Sequence, residues 1–256
     1  MEDLEIVVAC GLHTDTDNMA CHSFDGQVWA PLPVIDGIHC PYLTATRNHY
    51  IESVGWLVIG LETCDYQNVS ATIFTKDGAW ITLTLESPYD DFYPGFTCSV
   101  QLNSSHIYFC GGYDGYHSID SAWMLNLESL QWTAAPSMAI ATDSHGCTKG
   151  SVDGSIIVAG GDDFYGNVLD TVHTFHPDSC LWKEEEPLPG TADPRYPIIM
   201  AWHNTTIFLE YGSTNIWIRE VDESWTLSKS SLGASFSGKV DAVTLVPDWF
   251  ASGICP

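Results

Sequence analysis

The sequence predicts an all-β protein made of five copies of one unit, each built from four short strands. In every copy an apolar strand ends on glycine and is followed, 13 to 21 residues later, by a tryptophan. The tryptophans lie 51, 52, 50 and 43 residues apart and the glycines 49, 52, 49 and 51 residues apart. Two independent markers that keep one period indicate a structural repeat. The markers are Trp29, Trp80, Trp132, Trp182 and Trp225, with Gly11, Gly60, Gly112, Gly161 and Gly212.

The strands of each copy are predicted from short apolar runs separated by turn-forming residues. First strands are expected at 41–47, 96–102, 146–152, 198–203 and 239–246, and second strands at 4–10, 55–59, 106–110, 155–159 and 206–211. Third strands include SATIF, SAWMLNL, TVHTF and NIWIREV, and fourth strands begin at or near the marker tryptophans. Asp25-Gly26, Asp77-Gly78 and Pro177-Asp178 provide tight turns before the fourth strands.

The two ends of the chain complement each other. The N-terminal copy begins with a second strand, 4–10, whereas the C-terminal segment 239–246 is a first strand with no second strand after it. Pairing them removes an open sheet edge, so we expect one sheet to combine both ends. No linker or low-complexity segment interrupts the repeats, which predicts a single domain over residues 1–256.

The third and fourth copies carry a family resemblance. HIYFCGGYDGYHSIDSAWMLNLESLQW, from His106 to Trp132, and SIIVAGGDDFYGNVLDTVHTFHPDSCLW, ending at Trp182, resemble kelch repeats. The other copies keep one glycine of the doublet each. The resemblance implies a β-propeller of five four-stranded blades, with the ring closed by pairing of the N- and C-terminal strands.

The charge of the chain excludes two classes of partner. Eight Lys and Arg stand against 33 Asp and Glu, a formal net charge of −25. This field repels nucleic acid phosphates and anionic membrane surfaces, so neither is expected as a primary ligand. No run of eighteen apolar residues is present, so we expect no membrane insertion. The acidity fits solubility, a basic partner or loose binding of divalent cations.

The cysteines favour an oxidising compartment. Nine cysteines are many for a cytosolic protein. Cys98 and Cys110 lie six residues either side of Ser104 in one hairpin, so we predict a disulfide between them. The alternative is a pair of buried thiols that act as small hydrophobic residues.

Three N-x-S/T sequons, at Asn68, Asn103 and Asn204, are candidate glycosylation sites. The chain resembles secreted invertebrate kelch-type proteins, which carry inner-strand cysteines like Cys98 and Cys147. We therefore expect an extracellular protein, although the acidic N-terminus does not read as a signal peptide. A cytoplasmic location is the alternative.

No motif predicts catalysis. Copper radical oxidases are known among kelch propellers, but Cys64, Tyr66, His173 and His176 lack the ligand spacing of such a site. SFDGQVW resembles a sialidase Asp-box, yet it falls at a hairpin turn where these residues serve backbone geometry. We expect no cofactor, no metal site and no enzymatic activity.

Binding is the remaining function. In a propeller the loops after the second strands converge on one face, where function is usually located. Two loops there combine aromatic and acidic residues, which suits a protein or glycan ligand and in particular a basic one. The candidate residues are Tyr113, Asp114, Tyr116, His117, Asp162, Asp163, Phe164 and Tyr165.

Three alternatives stay open. The aromatic residues of these loops could serve only to cap the ends of the sheets. The chain could also be an intracellular kelch adaptor or a scaffold fragment, or a secreted enzyme with a metal site at the propeller axis. The oligomeric state is not predicted.

Overall fold

The computed structural model describes the chain at residues 5–12, 19–24, 28–31, 47–51, 55–61, 69–75, 80–88, 96–150, 153–190, 195, 197–202, 205–209, 215–220, 223–228 and 242–247. Every regular element within these ranges is a β-strand. In the same ranges no helix is long and apolar enough to cross a membrane. The prediction of an all-β protein is therefore confirmed for the described chain.

Twenty strands are described. In chain order they are β1 Glu5–Leu12, β2 Met19–Phe24, β3 Trp29–Pro31, β4 Arg47–Ile51, β5 Gly55–Leu61, β6 Val69–Phe74, β7 Trp80–Leu85, β8 Cys98–Gln101, β9 His106–Cys110, β10 Ala122–Asn126, β11 Gln131–Ala135, β12 Gly146–Lys149, β13 Ile156–Ala159, β14 Val172–His176, β15 Leu181–Glu184, β16 Ile198–Trp202, β17 Thr205–Leu209, β18 Ile216–Glu220, β19 Thr226–Leu227 and β20 Ala242–Pro247. They form antiparallel four-stranded sheets and divide between two compact units, Met1–Gly95 with Lys239–Pro256, and Phe96–Gly238.

Two sheets are described in the first unit, and one of them joins the two ends of the chain. Its strand order is β20-β1-β2-β3, with Ile6 opposite Val246 and Val8 opposite Thr244. The expected pairing of the terminal strands is therefore present. Because β1 has β20 on one side and β2 on the other, its backbone groups are paired along both edges.

The second sheet of the first unit corrects one predicted boundary. Its order is β4-β5-β6-β7, and its first strand includes Arg47–Ile51 rather than 41–47. Ile51 lies opposite Gly55, which places the turn of this hairpin later than predicted. His49 and Ile51 are both buried, so a polar residue occupies an inward position that an apolar pattern does not reveal. Residues 41–46 lie outside the described ranges.

In the second unit three sheets are described, and each follows the chain order of its strands. They are β8 to β11, β12 to β15 and β16 to β19, called here the third, fourth and fifth sheets. The first strand of the fourth sheet, β12, contacts the first strands of both its neighbours, β8 and β16. All three sheets thus meet along their first strands.

The core of the second unit lies between these sheets. Strand β13 is buried along its whole length, and alternate residues face opposite sides. Ile156 and Val158 pack with Tyr108 of the third sheet, whereas Ile157 packs with Phe208 of the fifth sheet. The fourth sheet is therefore covered on both faces. Such a layer cannot bury its apolar surface without a neighbour on each side.

Three of the marker tryptophans pack against an aromatic residue of the same repeat. Trp132 meets Phe109 edge to face, with ring centroids 5.0 Å apart. Trp182 packs on Phe175 at 5.1 Å, and Trp225 lies 6.2 Å from Phe208. In the second unit the period of the tryptophans therefore reflects a recurrent aromatic contact inside each sheet.

The disulfide prediction was right about Cys98 and wrong about its partner. Cys98 and Cys110 lie opposite each other on β8 and β9, as the hairpin predicts. Cys98 is nevertheless bonded to Cys147 of β12, with a Cα–Cα distance of 5.8 Å, and Cys110 is buried outside this bond. The physical reason is that the packing of β8 against β12 brings Cys147 within bonding distance, and a sulfur forms a single such bond.

The disulfide between Cys98 and Cys147 joins two sheets across 49 residues of sequence. Because closing a loop of this length restricts the unfolded chain, we expect the double variant C98S/C147S to lose about 2–4 kcal/mol of unfolding free energy. Urea denaturation followed by tryptophan fluorescence measures the loss. Cys180→Ser, at an exposed thiol, is the matched control and should leave the midpoint unchanged. A double variant as stable as this control would contradict a stabilising role for the bond.

Candidate functional site

Two loops of the second unit form the candidate site. The first loop, 113–118, follows β9, and the second loop, 162–167, follows β13. Asp114 and Tyr116 of the first loop correspond to Asp163 and Tyr165 of the second, each 49 residues further along the chain. Neighbouring sheets therefore present the same Asp-x-Tyr pattern at the same structural position.

A glycine doublet precedes each loop, and the second residue of the doublet must be glycine for a steric reason. Gly112 has φ +112°, and a Cβ atom there would lie 2.7 Å from Cγ2 of Thr97. Gly161 has φ +95°, and a Cβ atom there would collide with the carbonyl oxygen of Asp143. The positive φ and the lack of space for a Cβ atom both exclude residues larger than glycine at these positions. The chain can therefore turn tightly out of each second strand and place its loop against the adjacent segment.

Asp114 and Asp163 hold the loops in shape. Oδ1 of Asp114 accepts hydrogen bonds from the backbone N–H groups of Tyr116 and His117, at 2.8 and 2.7 Å. Oδ1 of Asp163 likewise accepts from the backbone N–H groups of Tyr165 and Asn167, both at 2.8 Å. These are side-chain-capped turns of the kind that aspartate favours. They fix the backbone that carries Tyr116 and Tyr165.

The charge of Asp163 is stabilised locally. Nδ2 of Asn167 donates a hydrogen bond to Oδ2 of Asp163 at 2.9 Å. This side-chain hydrogen bond, together with those from the backbone of Asn167 and Tyr165, lowers the pKa of Asp163 below its ordinary value. Asp163 is therefore a carboxylate at neutral pH.

Asp143 connects the two loops, and sequence reasoning missed it. Its Oδ2 accepts a hydrogen bond from Oγ of Ser118 at 2.7 Å, at the end of the first loop. Its backbone exchanges two hydrogen bonds with Asp162, at 2.9 and 3.1 Å, at the start of the second loop. Ser144 donates to its other carboxylate oxygen at 2.8 Å. The only sequence signal was its position in the segment between β11 and β12, which connects two repeats.

Four aromatic rings form a continuous row across the two loops: Tyr116, His117, Phe164 and Tyr165, called here the aromatic row. His117 stacks on Phe164 with ring centroids 4.4 Å apart and an interplanar angle of 16°. Tyr116 lies 6.2 Å from His117, and Phe164 meets Tyr165 edge to face at 4.8 Å. Tyr116, Phe164 and Tyr165 expose 76%, 50% and 81% of their surface. The rings thus pack on each other and still face solvent.

The structure divides the eight predicted residues into two groups. The aromatic row faces outward, whereas the remaining four shape the loops: Tyr113, Asp114, Asp162 and Asp163. Tyr113 is half-buried against Phe96, with ring centroids 5.9 Å apart. Asp162 forms bridges with Asp143 and Val168. One carboxylate also approaches the row, since Oδ2 of Asp114 lies 4.0 Å from Nδ1 of His117.

The described ranges contain no group of three or more metal-ligating side chains. His173 is buried within the fourth sheet, and burial lowers its pKa. His176 lies 3.5 Å from Asp153, away from both loops. Cys64 and Tyr66 fall outside the described residues, as do the sequons at Asn68 and Asn204. Asn103 is exposed in the turn between β8 and β9.

Comparison with known proteins identifies kelch repeats in the middle of the chain. A family model described as Kelch motif matches residues 97–139 and 144–189. Over 66 residues the chain is 41% identical to Kelch-like protein 15 of Homo sapiens and 39% identical to Kelch-like protein 15 of Mus musculus. Each match covers 26% of this chain and 11% of the relative. The two matched motifs comprise the third and fourth sheets and therefore include both loops.

The capping of the second loop makes its order dependent on pH. The pKa of Asp163 is lower in the folded loop than in the unfolded chain. The Asp163 carboxylate therefore stabilises the loop fully above the ordinary aspartate pKa of about 3.9, and this stabilisation is lost as pH falls through the lower pKa of the folded state. NMR titration of the Asp163 carboxyl carbon and the Tyr165 amide measures both events.

The variant Asn167→Ala removes the largest cause of this shift, so the pKa of Asp163 should rise toward its ordinary value. Asn126→Ala, which removes a similar cap in the third sheet, is the control and should leave Asp163 unchanged. An ordinary pKa for Asp163 in the unmodified protein would contradict this account.

Proposed function

We propose, from the kelch repeats that this chain contains, that it is a non-enzymatic protein-interaction module that binds through the aromatic row. The observation that carries the proposal is the exposure of Tyr116, Phe164 and Tyr165 on two loops that are held in shape by their own hydrogen bonds. Exposed aromatic side chains provide large contact areas with few rotatable bonds, and they are frequent anchors of protein interfaces.

The loops support this proposal because they are ordered before a ligand arrives. Asp114 and Asp163 cap the turns, and Asp143 ties the two loops together. A partner therefore does not have to organise the backbone, which reduces the entropy cost of binding. The stacked pair His117 and Phe164 also keeps the two loops at a fixed spacing.

A basic protein segment is the partner that this surface suits best. The chain carries a net charge of −25, and Asp114 and Asp163 belong to the loops that display the tyrosines. An arginine side chain can stack on a tyrosine ring while its charge is attracted to a nearby carboxylate. Aromatic faces beside acidic oxygens also suit glycans, so a glycan is the alternative ligand.

We further propose an extracellular location and a single propeller over residues 1–256. The disulfide between Cys98 and Cys147 supports an oxidising compartment. Asn103, an exposed sequon, is available for glycosylation there. The repeat period and the pairing of β1 with β20 support five blades and a ring closed through the terminal strands.

An intracellular adaptor or scaffold fragment is the second candidate. The matched segment makes up only 11% of the Kelch-like relatives, so their activities need not reside in the part that this chain shares. The two candidates differ in the redox state of the chain, because cytosolic thiols are kept reduced.

Thiol chemistry distinguishes these two candidates. Protein purified from its native source under non-reducing conditions should yield a tryptic peptide pair linked through Cys98 and Cys147. Mass spectrometry after alkylation measures this, and Cys180 serves as the internal control because its exposed thiol should be alkylated. Nine alkylated cysteines in the native protein would remove the extracellular proposal.

A random peptide library displayed on phage tests the binding surface. Peptides selected on the unmodified protein should bind the double variant Y116A/Y165A about tenfold more weakly or worse, because two central anchors are lost. Biolayer interferometry measures the affinities. Leu181→Ala, at an exposed side chain of β15, is the control and should bind as the unmodified protein does. Equal binding by the double variant would contradict the proposed surface.

The same library tests the chemistry of the partner. We expect the selected peptides to be rich in arginine and lysine, and to bind D114N/D163N more weakly, because asparagine keeps the capping oxygen and removes the charge. If the selected peptides are neutral, the basic partner is excluded, whereas the aromatic row remains the proposed binding surface. Tyrosine-dependent binding to a glycan array, with no peptide selected, would instead favour the glycan alternative.

A further inference from the structure

A cleft opens between the fourth and fifth sheets of the second unit. Its volume is about 430 Å³, within the size range of small-molecule sites. The described residues that line it come from the strands and from the turns near 150–155 and 220–224. In each sheet these turns join the first strand to the second or the third to the fourth. The cleft is therefore separate from the two loops, which join second strands to third strands.

The two walls of the cleft repeat one chemical order. Across the strands an apolar residue is followed by a threonine and then by a basic residue: Ile157, Thr174 and Lys183 in the fourth sheet, and Ala201, Thr206 and Arg219 in the fifth. Each wall thus has an apolar part, a hydroxyl group and a charged rim. A ligand in the cleft would meet all three.

Two threonines supply hydroxyl groups to the cleft. Thr174 and Thr206 are only 6% and 8% exposed, and both line the cleft. Neither hydroxyl group has a hydrogen-bond partner among the described residues. The two hydroxyl groups remain open to the cleft, and a few polar groups that converge on a cleft with apolar walls are typical of a ligand site.

The charged side chains at the rim of the cleft determine whether it suits a positive or a negative ligand. Nζ of Lys183 lies 2.9 Å from Oε1 of Glu185, and the guanidinium group of Arg219 lies 4.0 Å from Oε2 of the same residue. Arg219 also packs over the ring of Trp225 at 5.1 Å. Both cations are therefore already engaged. Glu186, Glu220 and Glu223 also line the cleft, and no ion pair within the described ranges neutralises them.

We propose that this cleft binds a small aliphatic amine. Its alkyl chain would pack on Ile157 and Ala201, and its ammonium group would donate hydrogen bonds to the hydroxyl oxygens of Thr174 and Thr206. An ammonium group has three donors and no acceptor, which matches hydroxyl oxygens that lack a donor. The surplus glutamates attract the positive charge, whereas a carboxylate ligand would be repelled.

Isothermal titration calorimetry with putrescine at low ionic strength tests the proposal. We expect saturable binding of putrescine and no comparable heat from butanediol or succinate, which have similar chain length but neutral or negative ends. The double variant T174V/T206V keeps the shape of the threonines and removes their hydroxyl groups. Its affinity for putrescine should fall about tenfold or more. Thr133→Val, on the exposed face of β11, is the control and should bind normally.

Two results would overturn the proposal. One is the absence of saturable putrescine binding, and the other is undiminished binding by T174V/T206V, which would indicate diffuse attraction to surface carboxylates. Circular dichroism establishes whether the double variant folds. If it does not, E186Q/E220Q/E223Q replaces it, since all three side chains are exposed. This variant must bind putrescine more weakly than the control Glu128→Gln, and equal affinities would also overturn the proposal.

Discussion

The burial of both faces of the fourth sheet is the constraint on which the second unit depends. Strand β13 is buried throughout, with Ile156 and Val158 on one face and Ile157 and Ala159 on the other. A sheet of this kind exposes apolar surface unless a neighbour covers each side. Its neighbours must therefore approach closely along the first strands, where β12 contacts β8 and β16. This packing fixes where the loops leave the sheets, and it brings Cys147 to Cys98.

The same constraint explains what the sequence could and could not predict. Trp132 and Trp182 recur because each packs inside its own sheet, and contacts of that kind leave a visible period. The bond between Cys98 and Cys147 joins different sheets, and its geometry arises only when those sheets pack. Cys110 was predicted as the disulfide partner because it lies opposite Cys98 within one hairpin. Spacing along the chain thus predicts contacts within a repeat better than contacts between repeats.

The candidate site shows a similar limit. Its position follows from the repeat, since Asp114 and Asp163 occur at one offset and so do Tyr116 and Tyr165. Composition could not reveal that the aspartates cap the turns while the tyrosines face solvent. Acidic residues near aromatic residues suggest contacts with a ligand. The carboxylates of Asp114 and Asp163, however, accept hydrogen bonds from the backbone of their own loops. Asp143 was missed because its role depends on two loops that meet only in the folded unit.

The topology of each sheet keeps the two surfaces of the second unit apart. When four antiparallel strands follow one another in order, the connection between the second and third lies at one end of the sheet, and the other two connections lie at the opposite end. The aromatic row belongs to the first end and the cleft to the second. Tyr116 is exposed and does not line the cleft, so we expect Tyr116→Ala to leave the walls around Thr174 and Thr206 intact. The repeat can therefore carry both proposed binding surfaces, one aromatic and exposed, the other hydroxyl-lined and recessed.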